Sequence, residues 1–197
     1  MSNIILASKS KVRKEILEKN GINCKVIPSN VDEDIIKEHL EKANATPEII
    51  SKNLAELKSN KVSLNNLDKI VIGADSVIDL NGKIISKPRD RTKALEILIS
   101  LNNSSHYLIS SVCISRNGNM IWNYTDKAKL TMKNFSKNEL IEYLDKISDE
   151  SLFAYNVYQI EGEGRSLFSK IEGDEDTIMG LPIKKIKEYI ENFGENL

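Results

Sequence analysis

The chain has 197 residues, of which 40% are hydrophobic and 29% are charged, a composition typical of a globular protein with one substantial core. Lys and Arg number 28 against 29 Asp and Glu, and the net charge of -1 argues against a broad basic surface for nucleic acid or anionic membrane. Any anion-binding site must therefore be a local cluster of cations.

The first part of the sequence predicts strands that lead into helices. Residues 4–7 form a short apolar run typical of a buried strand, and the apolar spacing after them predicts a helix that ends near Gly21. A second strand is predicted at residues 24–27. Helical patterns follow at about residues 33–43 and, after a proline at a helix start, at residues 47–62.

The remaining segments predict a mixed α/β fold. Residues 69–75 form a near-continuous apolar run, as in a strand that is covered on both faces. The pairs Asn81-Gly82 and Asn117-Gly118 lie between β-rich segments and predict hairpins, so part of the sheet is antiparallel. The other predictions are helices at 92–101, 136–147 and 183–193, and strands at 106–116, 119–132 and 155–171.

Cysteine and histidine usage predicts neither a zinc site nor a disulfide framework. Cys24 and Cys113 lie far apart without a C-x-x-C or Cys/His pattern, which favours a reducing cytoplasm. His39 and His106 fit no hydrolase triad and are expected to be structural or on the surface.

No apolar run approaches the ~18 residues of a membrane helix. We therefore expect one soluble, cytoplasmic domain over residues 1–197, with neither nucleic acid nor membrane as a partner.

The first turn of the first predicted helix concentrates positive charge. Lys11, Arg13 and Lys14 lie where the helix dipole already places partial positive charge, at a cost of about 0.3 to 1 kcal/mol each, which a bound anion would relieve. The hydroxyls of Ser8 and Ser10 and the free N–H groups of the helix start would complete a phosphate site. The alternative is a solvated basic turn with Ser10 as an ordinary N-cap.

Asp75 ends an apolar strand, at the edge where α/β proteins bind ligands. A buried carboxylate there needs a cation, a hydrogen-bond network or a metal. The alternative is an aspartate that caps the following turn.

Two lysines are candidates for binding an anion. Pro88 forces Lys87 into an extended conformation that can reach across a cleft. Lys58 lies beside the apolar stripe of its predicted helix, at the boundary between core and solvent. The alternative for Lys58 is a lysine whose stem covers apolar surface while its ammonium stays in water.

Two acidic segments offer further ligands. Asp32, Glu33 and Asp34 carry hard oxygen atoms suited to Mg²⁺, although such triplets also occur in loops and in helix first turns. Glu161 precedes Gly162, which lets a ligand approach the backbone closely, but no Rossmann or P-loop pattern surrounds it.

Short motifs follow one another along the chain in a specific order. They are L-A-S-K-S-K-V-R at 6–13, V-D-E at 31–33, L-A-E-L-K at 54–58, G-A-D-S-V at 73–77, K-P at 87–88 and G-L-P at 180–182. In this order they resemble the motifs L-A-S-x-S-P-R-R, V-D-E, L-A-x-x-K, G-A-D-T-V, K-P and G-L-P of the Maf family of nucleotide pyrophosphatases. The resemblance extends over residues 4–183, nearly the whole chain.

The resemblance implies a fold and an activity. The fold is a mixed twisted sheet flanked by helices, in two lobes with a central cleft, similar to inosine triphosphate pyrophosphatases. The activity is a housecleaning hydrolysis of nucleoside triphosphates to monophosphate and pyrophosphate with a divalent metal cation, Mg²⁺ or Mn²⁺. The resemblance also allows a homodimer. The implied roles are Asp75 as proton acceptor, Arg13, Lys58 and Lys87 on the triphosphate, Ser8 and Ser10 at the phosphate end, and Glu33 towards the metal.

The chain departs from the family pattern in ways that bear on the substrate. Lys11 replaces the proline of the first motif, and Val12 replaces the first of its two arginines. The family motif Y-x-I-Q-G reads Y-Q-I-E-G here, so Glu161, which only accepts hydrogen bonds, stands in place of an amide and prefers a cationic or donor-rich base. The missing arginine and the E-G resemble the 7-methyl-GTP branch, whereas Ser76 stands closer to the threonine of the dTTP/UTP branch. Metal binding is the alternative role of Glu161.

Two other classes of function compete with the enzyme. The family is also associated with inhibition of septum formation, which predicts a nucleotide-binding regulatory protein with little or no turnover. Such a protein has no need of Asp75, because an isolated carboxylate repels phosphates unless a metal or a proton intervenes. A nucleic-acid binder is disfavoured by the balanced charge.

Overall fold

The helices and strands follow the predicted order closely. The computed structural model of the chain describes residues 3–193. The strands are β1 Ile4–Leu6, β2 Lys25–Val26, β3 Ile70–Leu80, β4 Lys83–Ile85, β5 Ser105–Arg116, β6 Asn119–Met132 and β7 Phe168–Glu172. The helices are α1 Lys11–Lys19, α2 Glu33–Lys42, α3 Pro47–Leu64, α4 Arg91–Leu101, α5 Lys137–Asp145, α6 Asp149–Tyr155, α7 Glu175–Ile178 and α8 Ile183–Phe193, with a 3-10 helix at Glu163–Leu167. Among the helices of residues 3–193, none has the length and apolar character needed to span a bilayer.

The strands form one mixed, seven-stranded sheet in the order β2-β1-β3-β5-β6-β7, with β4 paired to β3. Strand β1 is parallel to β2 and β3, and the other pairs are antiparallel. On one edge of β3, β1 pairs with residues 70–72 and β4 with residues 78–80, while β5 covers the other edge. Residues 73–77 therefore have no strand beside them on the first edge in the described chain, and the sheet is open there.

Two apolar clusters lie along the long central strands and give the molecule its two lobes. One cluster contains Ile72 of β3 and Ile114 of β5, with residues from α1 and α8. The other contains Ile78 of β3 and Leu108 of β5, with residues from α4, α5 and the 3-10 helix. Because the same two strands run through both clusters, the lobes share a rigid connection, and the open stretch of β3 lies between them.

Helix α3 packs against β3 with its backbone almost in contact with the strand. A Cβ atom at Gly73 would lie 2.3 Å from the carbonyl oxygen of Ala55 and 2.7 Å from the amide nitrogen of Ser59. Leu54 and Ala55 are fully buried in this contact. The absence of a side chain at Gly73 thus fixes how close α3 comes to the strand, and with it the position of Lys58.

The predicted hairpins, the first strand and the six predicted helices are confirmed, but the predicted strand at residues 155–171 is wrong. Helix α6 ends at residue 155, a loop and the 3-10 helix follow, and only β7 is extended. The alternation of buried Tyr158 and Ile160 was typical of a strand. In the fold, the Tyr143 hydroxyl donates to Val157 O at 3.0 Å, and Gly164 packs on the Gln159 backbone. The chain therefore folds back on itself instead of joining a ladder.

The contact at Gly73 predicts a large effect of a single methyl group on stability. Gly73→Ala should lower the free energy of unfolding by about 1 to 3 kcal/mol, because the methyl meets backbone atoms that cannot move aside. Urea denaturation would measure the change. Gly162→Ala is the matched control, since a Cβ there has no neighbour within 4 Å, and it should stay within about 0.5 kcal/mol of the parent. Equal stability of the two variants would contradict the close contact.

Candidate active site

A cleft of about 730 Å³ lies between the two lobes, beside the open stretch of β3. Its walls come from the start of α1, from α2 and α3, from the β3–β4 hairpin, and from the segments at 156–161 and 178–180. It brings together residues that are far apart in sequence. Every residue to which the family resemblance gives a role lines it: Ser8, Ser10, Arg13, Glu33, Lys58, Asp75, Lys87 and Glu161.

A buried ion pair between Lys58 and Asp75 lies in the wall of the cleft. Lys58 Nζ is 2.7 Å from Asp75 Oδ1 and 2.8 Å from Glu33 Oε1, so one ammonium joins two carboxylates. Asp75 is 3% exposed and Lys58 is 5% exposed. Lys58 is therefore not a surface lysine, and Asp75 is a compensated buried carboxylate and not an exposed turn cap.

The second oxygen of Asp75 distinguishes it from a purely structural partner of Lys58. Within residues 3–193 no hydrogen-bond donor reaches Asp75 Oδ2, although the atom is buried. Buried acceptors in proteins are almost always satisfied, by protein or by water. An oxygen of this kind in the lining of a cleft is suited to accept a hydrogen bond from a water or to bind a cation.

The pKa values of Glu33 and Lys87 are shifted by the other charges of the cleft. Burial acts to raise the pKa of Glu33, but the nearby ammonium groups of Lys58, Lys37 and Lys87 outweigh it and the pKa is lowered. The pKa of Lys87 is also lowered, first by desolvation and then by the positive charge of Arg13 and Lys37, with Glu33 and Asp75 opposing the shift. The cleft therefore concentrates cations more strongly than a balanced surface would.

Arg13 joins three separate segments at the cleft. Its guanidinium donates to Gly180 O and to Ala74 O, both at 2.9 Å, and more weakly to the hydroxyls of Ser76 and Ser8. Ala74 lies in the open stretch of β3, so an arginine replaces part of a missing strand. Desolvation lowers the pKa of Arg13, while Asp75 and Glu33 oppose the shift.

Gly180 allows this contact because it adopts a left-handed conformation, with φ of 98°, close to the guanidinium. A Cβ there would lie 3.0 Å from Ser76 Oγ and 3.3 Å from Arg13 Nε. The glycine of the G-L-P motif therefore fits one specific position, in which its carbonyl faces Arg13.

A directional chain of hydroxyls extends from Arg13 into the sheet. Ser110 Oγ donates to Thr177 O at 2.7 Å, so its single hydrogen is used. It must then accept from Ser76 Oγ at 2.8 Å, which leaves Ser76 as an acceptor for Arg13 Nη2 at 3.1 Å. The order of donors fixes each hydroxyl and ties the start of α1 to β3, β5 and α7.

The serines at the start of α1 have a structural role and also line the cleft, so both alternatives considered for them hold in part. Ser10 is the N-cap, because its hydroxyl accepts from Arg13 N at 3.3 Å. Ser8 Oγ accepts from Ser10 N at 3.2 Å and from Arg13 Nη1 at 3.3 Å. Lys14 points along the helix to Glu18 at 3.3 Å and does not line the cleft. The two serines therefore shape the turn and also lie in the lining of the cleft.

The wall of the cleft that contains Tyr158 and Glu161 packs against a buried histidine, His106. His106 Nε2 and the Tyr158 hydroxyl are 2.8 Å apart, and the Phe168 ring packs against both. Desolvation lowers the pKa of His106 to about 4, and it raises the pKa of Tyr158. His106 is structural, as expected, and it supports the segment that carries Glu161.

Two polar residues that line the cleft, Lys37 and Ser76, were given no role in the site from the sequence. Lys37 of α2 lines it, one helical turn after Glu33 and 3.7 Å from Glu33 Oε2. The i,i+4 spacing of the two side chains was the available signal. Ser76 follows Asp75 directly and had no local signal, because its partners Arg13 and Ser110 lie elsewhere in the sequence.

Comparison with known proteins gives consistent results. The family model described as Maf-like protein matches residues 3–193. The chain is 71% identical over 190 residues to the nucleoside triphosphate pyrophosphatase of Pelagibacter ubique (strain HTCC1062), with 96% of this chain and 97% of that protein covered. It is 34% identical to the 7-methyl-GTP pyrophosphatase of Rhizobium etli, over 97% of this chain and 96% of that protein. Among solved structures it is similar to the Staphylococcus aureus Ham1 protein, at 19% identity and a TM-score of 0.42, covering 68% of this chain and 72% of that one.

Burial of neutral His106 predicts a specific loss of stability in mild acid. Because its pKa is about 4 when folded and about 6.5 when unfolded, the unfolded state binds more protons between these values. Stability is therefore retained above pH 6.5 and falls as the pH drops towards 4.

Chemical denaturation at pH 7 and pH 5 would measure this effect. His106→Gln should remove about 2 kcal/mol of the decline between the two pH values, because glutamine does not titrate. His39→Gln, at an exposed position on α2, should leave the decline unchanged. An identical decline in the parent and both variants would show that His106 does not control it.

Proposed function

The chain belongs to the Maf-like protein family, and from this premise we propose that it hydrolyses nucleoside triphosphates to a monophosphate and pyrophosphate. One observation carries the proposal. The buried carboxylate of Asp75 keeps an oxygen without a donor in the described chain, in the lining of a cleft that also contains several cations. A carboxylate among cations suits the attack of water on a phosphoanhydride.

Asp75 acts on the attacking water in this proposal. Its Oδ1 is held by Lys58 at 2.7 Å, which fixes the carboxylate, and Oδ2 accepts a hydrogen bond from the water. The water adds to the α-phosphorus in line with the bond to the bridging oxygen, and its proton passes to the carboxylate. The bond to the bridging oxygen breaks, and pyrophosphate leaves with the electron pair.

The cations and hydroxyls of the cleft would stabilise the departing charge. Lys87 and the fifth N–H group of Arg13, which donates to no other residue of the described chain 3–193, would face a triphosphate in the cleft. The serines at the start of α1 add hydroxyls near the phosphate end. Fixed groups of this kind are effective because they need no reorganisation as charge develops.

A divalent cation, Mg²⁺ or Mn²⁺, fits the donor set if it binds together with the substrate. In residues 3–193 no group of three or more His, Cys, Asp and Glu side chains could hold a metal by itself. Mg²⁺ usually takes one or two carboxylates plus substrate phosphates. Glu33 would be its carboxylate ligand, because Asp75 Oδ2 is assigned to the attacking water. When bound, the ion would neutralise charge on the phosphate oxygens.

The base preference is proposed to depend on Glu161. This exposed carboxylate lines the cleft on the segment after α6, beside Tyr158 and Ile160. It can only accept hydrogen bonds, so a positively charged base such as 7-methylguanine is favoured over thymine or uracil. The 7-methyl-GTP pyrophosphatase among its relatives supports this choice.

The catalytic proposal predicts that Asp75→Asn loses pyrophosphate release. The amide keeps the shape but cannot take the proton, so kcat should fall by about 10² to 10⁴-fold. Release would be measured with Mg²⁺ for dTTP, UTP, CTP, GTP and 7-methyl-GTP. Asp79→Asn, on the same strand but outside the cleft, should retain the parent activity.

The outcomes separate two functions of the cleft. Turnover that Asp75→Asn abolishes supports the enzyme. Tight nucleotide binding by the parent without any turnover across the panel would instead favour the regulatory binding protein that inhibits septum formation.

The role of Glu161 predicts a change of selectivity. Glu161→Gln should lower the ratio of kcat/KM for 7-methyl-GTP over GTP by about three- to tenfold, since an exposed charge interaction is modest. Glu163→Gln, outside the cleft, should leave the ratio unchanged. A shift in the Mg²⁺ requirement with no change in the ratio would assign Glu161 to the metal instead.

A further inference from the structure

Two of the three cations assigned to the triphosphate are already engaged by the protein. Lys58 is shared between Asp75 and Glu33. Arg13 makes four hydrogen bonds with its five N–H groups, and two of them end on backbone carbonyls. A triphosphate that used these groups fully would have to break contacts that hold the cleft together. Part of the substrate charge must therefore be met elsewhere.

Lys37 is positioned to bind the part of the substrate charge that Lys58 and Arg13 cannot meet. The residue lies on the first half of α2, lines the cleft, and has a side chain that is 20% exposed. Its ion-pair partner is Glu33, whose Oε2 is 3.7 Å away, and the other oxygen of Glu33, Oε1, is 2.8 Å from Lys58 Nζ. Within residues 3–193 the ammonium of Lys37 thus makes a single, long ion pair and keeps capacity for an anion.

The neighbours of Lys37 indicate the part of the substrate it would contact. Lys37, Lys87 and Arg13 line the same cleft as Glu33 and Asp75, the two carboxylates with roles in the proposed hydrolysis. Lys37 and Arg13 both act to lower the pKa of Lys87, after desolvation and against the opposing effect of Glu33 and Asp75, so the three cations lie close enough to repel one another. A polyphosphate between them would relieve the repulsion.

The family motif provides a reason for an additional cation in this chain. The motif has arginines at two successive positions, and the first of them is occupied here by Val12, whose side chain packs against an apolar cluster. No charge can come from that position. Lys37 adds a positive charge to the cleft from another helix.

We propose that Lys37 is a further substrate-binding residue, which contacts the pyrophosphate end of the nucleotide and supplies charge that the first motif lacks at Val12. The inference rests on the proposed function for the identity of the substrate. It does not depend on turnover, because an ammonium of this kind would bind the polyphosphate whether or not hydrolysis follows.

Steady-state kinetics of Lys37→Met test the role. KM for the preferred nucleotide should rise about tenfold with kcat nearly unchanged, as expected for loss of one charge-assisted contact. Inhibition by pyrophosphate should weaken by a similar factor, while inhibition by the nucleoside monophosphate stays the same. Lys37→Arg should restore most of the affinity. Lys42→Met, on the same helix but paired with Glu38 away from the cleft, is the matched control.

Calorimetric titration with inorganic tripolyphosphate separates this inference from the proposed function. If the parent binds tripolyphosphate and Lys37→Met binds it about tenfold more weakly, the role of Lys37 holds even without turnover. If the two proteins bind it equally, or if Lys42→Met weakens binding as much, the role of Lys37 is excluded. Thermal unfolding of each variant would reveal any loss caused by destabilisation alone.

Discussion

The ion pair between Lys58 and Asp75 is the interaction on which the rest of the cleft depends. Two opposite charges are held almost completely out of water, and removing one partner of such a pair costs about 3 to 5 kcal/mol because the other charge is left uncompensated. The pair forms because Gly73 lets the backbone of α3 approach β3 closely. Packing of one helix on one strand thus sets the position of the carboxylate that the proposed chemistry needs.

The second constraint is the open edge of β3. Strands β1 and β4 pair with the two ends of β3 but leave its middle, so backbone carbonyls there need donors. Arg13 supplies a donor to Ala74 O and, through Ser76 and Ser110, is coupled to α7. A sheet that closed this edge would have no cleft. The same opening that demands an arginine would therefore give a nucleotide access to Asp75 in the proposed reaction.

These two constraints also explain why the cations of the cleft have different roles. Lys58 and Arg13 are mainly occupied in holding carboxylates, carbonyls and hydroxyls in place. Lys37 and Lys87 line the same cleft and are more exposed than Lys58. If Lys37 and Lys87 bind the substrate as proposed, the site can tolerate Val12 in the first motif, because groups on other elements would meet the charge of the substrate.

The sequence by itself determined most elements and most of the site. Asn-Gly pairs specify hairpins and serine caps specify helix starts through contacts within a few residues, and the ordered motifs identified Asp75, Arg13 and their neighbours. The tertiary structure decided the rest. It alone showed the loop in place of a strand at 155–171, the position of Lys37 beside the cleft, and the partners of Arg13, one of which is 167 residues away. Local preferences act over a few bonds, whereas these contacts exist only after distant segments have packed together.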